Sequence, residues 1–114
     1  MTRILAILAI FTTSTAGHAG PGGLADGTYD GFNCAAPVSD QRIVLRGNEL
    51  SFYETNCLLS NPQGLRGLTG PVLVDATCTG EGEGWQTRYI MLQTNDGGIT
   101  LMGEGFAEKY VRCP

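Results

Sequence analysis

Four cysteines in a chain of 114 residues, Cys34, Cys57, Cys78 and Cys113, constrain what this sequence can fold into more than any other feature. None stands in a C-x-x-C spacing, so the pattern reads as two disulfides rather than a zinc knuckle or a redox motif. Disulfides need an oxidising compartment, and the N-terminus fits one. Met1-Thr2-Arg3 gives a short positive start, residues 4–11 an apolar run, and residues 12–19 a small-residue segment ending Gly17-His18-Ala19. This is the anatomy of a secretory signal peptide, and its apolar run is well short of the ~20 residues a bilayer span needs. We expect cleavage after Ala19, leaving residues 20–27 as a flexible lead-in in which only Leu24 has anything to pack, and residues 28–114 as a single domain. The chain is then exported, to the periplasm or beyond the cell, with no transmembrane segment.

Arg3 and His18 lie in the leader, so residues 20–114 carry six basic side chains against eleven acidic ones and no histidine. A net charge near −5 with Lys109 as the one lysine argues against nucleic acid, whose phosphates require a basic patch. Without histidine, Ser-His-Asp or Cys-His catalysis and His-ligated zinc are excluded within one mature chain.

Two hairpins can be read by register. At Gly47-Asn48 a turn with glycine first sets Leu45 opposite Leu50, Ile43 opposite Phe52, Arg46 opposite Glu49 and Arg42 opposite Tyr53. The apolar pairs share one face; an ion pair and an Arg42–Tyr53 cation–π contact occupy the other, each worth roughly 0.2–1 kcal/mol. At Asp96-Gly97 a two-residue turn sets Leu92 opposite Leu101, with Ile90, Leu92, Ile99 and Leu101 as core face and Tyr89, Met91, Gln93, Thr100 and Met102 outside. Arg88 then falls on core parity and reaches past the sheet edge to water, Glu81 or Glu83.

Between these, residues 71–78 alternate with Val72, Val74, Ala76 and Cys78 inward. Residues 28–34 read as a first strand, 35–40 as a loop, 55–70 as a turn-rich segment around Asn61-Pro62-Gln63-Gly64, and 106–113 as a strand or a single helical turn. No stretch sustains a helical period. The expected architecture is all-β: about six or seven strands in antiparallel hairpins forming a small barrel or sandwich, stapled by two disulfides.

The preferred pairing is Cys34–Cys57 with Cys78–Cys113, each bridge enclosing one hairpin. The crossed pattern Cys34–Cys78 with Cys57–Cys113 requires the hairpins to face each other across a sandwich.

Glu81 and Glu83 with Asp75 could hold Ca²⁺, but their spacing matches no known calcium loop, so we expect a solvated acidic turn and no metal or cofactor. The same acids, or Glu54 with one of them, could form a glycosidase carboxylate pair; a 95-residue β domain offers little cleft, so the reading is not an enzyme. Trp85, between acidic glycines and Arg88, is either the core centrepiece or an exposed contact for a protein or sugar ring. The candidate binding residues are therefore Glu81, Glu83, Trp85, Arg88, Arg42 and Tyr53, on a binding module for an unknown protein or saccharide. In size, export, paired cysteines and β content the chain resembles the small periplasmic proteins that inhibit lysozymes. The resemblance implies an enzyme inhibitor as the alternative, carries over no residue, and leaves a small hydrolase as the outside reading.

Overall fold

A computed structural model describes residues 20–114 of the chain; the expected signal peptide lies outside the described residues. Eight antiparallel strands run up and down in sequence order and close into a barrel: β1 (Gly27–Asp30), β2 (Arg42–Arg46), β3 (Glu49–Ser51), β4 (Asn56–Gly64), β5 (Val72–Gly80), β6 (Glu83–Gln93), β7 (Ile99–Gly103) and β8 (Phe106–Arg112). An eight-stranded barrel is just wide enough for its own side chains to fill it. Tyr29, Ile43, Leu45, Leu50, Val74, Met91, Ile99 and Leu101 do so, each essentially inaccessible.

The first hairpin has the expected register, with Leu45 opposite Leu50 and Arg46 opposite Glu49. Gly47 sits at φ 61° while Asn48 keeps an ordinary φ, as a glycine-first turn requires. The inward row of β5, Val72, Val74, Ala76 and Cys78, is buried as expected.

The second hairpin is shifted by one residue: Met91 faces Leu101 and Gln93 faces Ile99. Its turn spans Thr94 to Gly97, with Gly97 N–H donating to Thr94 O, Gly97 at φ 86° and Thr94 N–H donating to Gly98 O. The glycine is thus an extra bulge residue rather than half of a two-residue turn. A one-residue slip exchanges the faces of one strand. Tyr89 and Met91 point inward and Ile90 and Leu92 do not, while Ile99 and Leu101 stay in the core.

Three further segments depart from expectation. β1 stops at Asp30 because that carboxylate takes the Phe32 and Asn33 N–H groups, turning the chain out of the sheet. β4 runs through Asn61-Pro62, which form a bulge between Ser60 and Gln63 instead of a turn; a bulge is where a strand tolerates a residue without an N–H. The acidic glycines form a tight hairpin turn, Glu81 at φ 49° and Gly82 at φ 77°, which lengthens β6 to eleven residues.

The disulfides are Cys34–Cys113 and Cys57–Cys78, which overturns the expected pairing of Cys34 with Cys57 and Cys78 with Cys113. Register explains the inner one: β4 pairs with β5, placing Cys57 directly opposite Cys78 on the inward face with Cα atoms 4.0 Å apart. Barrel closure explains the outer one. β8 returns to β1, and Cys113 N–H donates to Thr28 O, so the C-terminus lies beside the chain that leads to Cys34.

Residues 20–26 close the lower end of the barrel. Leu24 is buried and Gly20 packs so closely that a Cβ there would sit 2.7 Å from Leu45. Gln93 fastens the segment: its Oε1 accepts from Ala25 N–H at 2.8 Å while its Nε2 donates to Gly97 O and Gly98 O.

Candidate functional site

The six residues singled out from sequence fall into separate parts of the barrel. Arg42 and Tyr53 border a hollow of 250 Å³ on the outside of β2 and β3, beneath the 31–41 loop. The expected Arg42–Tyr53 contact is absent, because Arg42 turns the other way. Its Nε donates to Asp30 Oδ2 at 3.0 Å and its Nη2 to Ala36 O at 2.7 Å, with further bonds to the carbonyls of Asn33 and Cys34. Arg42 is a structural clamp on the loop. Tyr53 remains exposed.

Arg88 faces outward, opposite Asp75, and donates from Nε to Asp75 Oδ1 at 3.0 Å instead of meeting Glu81 or Glu83. Asp75 also accepts from Asn61 Nδ2 at 3.0 Å. The Asn61 amide holds the Asp75 carboxyl below its ordinary value, outweighing the opposing effect of desolvation, and the charge and hydrogen bond of Arg88 add to it. The calcium reading thereby loses its third carboxylate, and among the described residues no group of three or more candidate ligands is placed to hold a metal ion.

Glu81, Glu83 and Trp85 lie together at the upper end, where the three tight turns and the 31–41 loop emerge. Glu54, Glu81 and Glu83 border one hollow of 590 Å³. All three are exposed. Trp85 lies across from Cys78 on the inward face of β6. It nevertheless keeps 40% of its surface exposed, because it sits where the barrel runs out. Next to it, Gly80 lets the 54–55 segment approach: a Cβ on Gly80 would stand 2.7 Å from Glu54 O and 2.9 Å from Thr55 Oγ1.

Sequence reasoning missed the aromatic group below the tryptophan. Tyr89 meets Phe52 at 6.1 Å and Phe106 at 6.2 Å between ring centroids, both in tilted or edge-on geometry, the arrangement aromatic quadrupoles favour. The signal was available in the strand parity of residues 85, 87 and 89, but the one-residue slip hid it.

The upper end is also electrically distinct. Glu54, Glu81 and Glu104 sit in or beside its tight turns, with Glu83 and Glu108 on the strands that leave them. The ion pairs among the described residues are Arg42–Asp30, Arg88–Asp75 and Lys109–Asp96, so none of these five glutamates is paired there. The arginines left over, Arg46, Arg66 and Arg112, all belong to the lower end.

No family model, no curated protein and no solved structure matches this chain. Its function is therefore read from the site itself. Two disulfides in so small a domain belong to an oxidising environment, and among the described residues no helix is long and apolar enough to cross a membrane.

Proposed function

We propose that this chain is an exported interaction module, acting in the periplasm or outside the cell, that binds its partner through the upper end of the barrel and is not an enzyme. One observation carries this reading: a half-exposed tryptophan stands at the end of the barrel whose turns and strand starts carry five unpaired glutamates. Trp is enriched at binding hot spots because it offers a large rigid apolar area with one polar handle. Carboxylates around its rim exclude wrong partners and steer the right one.

The alternative, inhibition of an enzyme, is favoured by the shape of the 80–83 turn. Its two central residues both have positive φ, so it is a tight, stiff tip that presents Glu81 outward, suited to entering a cleft.

The test is capture from envelope extract with residues 20–114 as bait, followed by binding of the identified partner to purified Trp85→Ala. Weakened binding at an unchanged Tm supports the reading. Undiminished binding to Trp85→Ala removes the upper end as the contact surface, and inhibition of an enzymatic partner selects the alternative.

A further inference from the structure

β6 runs further than its neighbour on one side. It pairs with β5 from Glu83 to Met91 but with β7 only from Ile90 to Gln93, because the chain leaves β7 at Gly103, which already faces Phe106 across the next turn. Residues 83–89 therefore have no strand on their β7 side. The hollow of 440 Å³ bordered by Asp75 and Arg88 is also bordered by Gln86, Thr87 and, in the β7–β8 turn, Glu104, so open volume lies between this edge and that turn.

The turn before β6 decides which backbone groups face the gap. Glu81 and Gly82 both have positive φ, as in the two-residue turn whose closing pair, here Gly80 and Glu83, exchanges both of its hydrogen bonds. Trp85, Thr87 and Tyr89 then also direct N–H and C=O to β5, while Gly84, Gln86 and Arg88 direct theirs to the open side. Two observations agree. Cys57 and Cys78 have Cα atoms 4.0 Å apart, the spacing of a non-hydrogen-bonded pair, so Cys78 bonds instead to β6, where it faces Trp85. On the β7 side of the chain, Thr94 N–H donates to Gly98 O, and residue 94 shares the even parity of 84, 86 and 88. These three residues are exposed, and among the described residues no loop backbone takes up their groups.

Proteins blunt exposed edges with proline, lysine, bulges or covering loops. This barrel does so at two other overhangs. β3 pairs with β4 only as far as Leu58, and the free part of β4 holds the Asn61-Pro62 bulge. β1 pairs with β8 only at Val111 and Arg112; the rest of β8 carries Lys109, and a Cβ on Gly31 would stand 3.5 Å from Tyr110 Cδ1. From Glu83 to Tyr89 there is no proline, no lysine and no break in register.

We infer that the upper edge of β6 receives an extended, basic segment of a partner protein as an added strand, hydrogen-bonded to Gly84, Gln86 and Arg88. The inference rests on the interaction-module reading and states how its partner is held. Charge selects a basic segment: Glu81 and Glu83 stand at one end of the edge and Glu104 borders the hollow beside it, none in an ion pair among the described residues. The same charge opposes a second copy, since edge-to-edge pairing would join two acidic ends. Alternate side chains of the added strand would lie on the face of Trp85.

The experiment is amide hydrogen exchange read by NMR on oxidised residues 20–114 at low salt, with increasing amounts of a blocked octapeptide of alternating Lys and Thr. Without peptide, Trp85, Thr87 and Tyr89 should exchange slowly and Gly84, Gln86 and Arg88 fast. With it, the second set should slow saturably by about tenfold, the scale of one net hydrogen bond, while the first set changes little. The same peptide N-methylated at every residue keeps its charge, loses its donors and should slow nothing. Gln86→Pro removes an N–H that the barrel does not use and should abolish the slowing at Gly84 and Arg88 at a nearly unchanged Tm; if that variant does not fold, the methylated peptide carries the test. Equal slowing by both peptides, slowing without the alternation, undiminished slowing in folded Gln86→Pro, or none at all overturns the inference. Slowing at Gly84, Gln86 and Arg88 that rises with protein concentration alone means a second copy on the edge and overturns the basic segment. Each of these outcomes leaves the interaction module standing, which is tested separately by partner binding to Trp85→Ala.

Discussion

Arg42 and Asp30 form an ion pair at 3.0 Å whose carboxylate side chain is wholly buried and whose guanidinium is three-quarters buried. They sit opposite each other on β1 and β2, on the outward face, so what buries them is the 31–41 loop folded back over the barrel wall. Asp30 accepts from the Phe32 and Asn33 N–H groups and the Ser39 hydroxyl, and Arg42 serves three loop carbonyls. A loop whose large apolar side chains, Phe32 and Val38, face solvent is thereby held by this charged pair together with the Cys34–Cys113 bridge.

Asp30→Ala should be among the most damaging single changes in the domain. It leaves Arg42 without its counter-charge and three donors without an acceptor, a loss of about 3–5 kcal/mol for a broken buried pair. Urea unfolding measures it. Tyr53→Ala, nearby but exposed, should change stability by less than about 0.5 kcal/mol.

Acid should weaken the fold over a defined window. Burial alone would raise the Asp30 carboxyl, but its backbone, Ser39 and Arg42 bonds outweigh this and hold it below the ordinary 3.8. The Thr94 hydroxyl, the Gly98 N–H and Lys109 lower Asp96 to about 2. Groups depressed in the folded state stabilise it fully above the unfolded value, and that contribution is lost as pH falls through the folded one. Stability should therefore be level above about pH 5 and decline below about pH 4. Asp30→Asn should make the decline shallower, read by thermal melts between pH 2 and 6.

Non-reducing peptide mapping should join Cys34 to Cys113 and Cys57 to Cys78. In the chain-entropy account, the sequence separations of 79 and 21 residues correspond to about 4.5 and about 3.3 kcal/mol at 25 °C. Replacing Cys34 and Cys113 together by alanine should cost the more, and should release amide protection across residues 31–41.

Gly103→Ala tests the aromatic group. Its Cβ would fall 2.3 Å from Phe106 Cε1, so the ring must swing away from Tyr89. Phe106 is half-exposed and can turn outward, so the cost should be about 1 kcal/mol or less, the low edge of what overpacking costs in a closed core, measured by melting.

Much of this fold was legible because alternation and turn chemistry agree over most strands. The Gly47-Asn48 hairpin and the Val72 to Cys78 row were read correctly, since a wrong register there would put leucines or valines in water. The second hairpin slipped because Asn95-Asp96-Gly97-Gly98 accommodates either a two-residue turn or a turn with a bulge, and both strand faces carry apolar residues. The slip moved Tyr89 to the outside on paper and so hid the aromatic group. Asp30 looked like an ordinary strand residue; its role depends on a loop folding back, which no local pattern announces. The cysteine pairing failed for a related reason: hairpins are local, while barrel closure joins the first strand to the last.

The two disulfide rings are nested, 57–78 lying wholly inside 34–113. The exposed 65–71 connection between β4 and β5 falls within both. A protease that cuts there produces a nicked chain whose halves remain doubly tethered, its mass greater by one water and its strands still held in register. This exposed loop can therefore be severed without releasing a fragment as long as the two bridges stay oxidised.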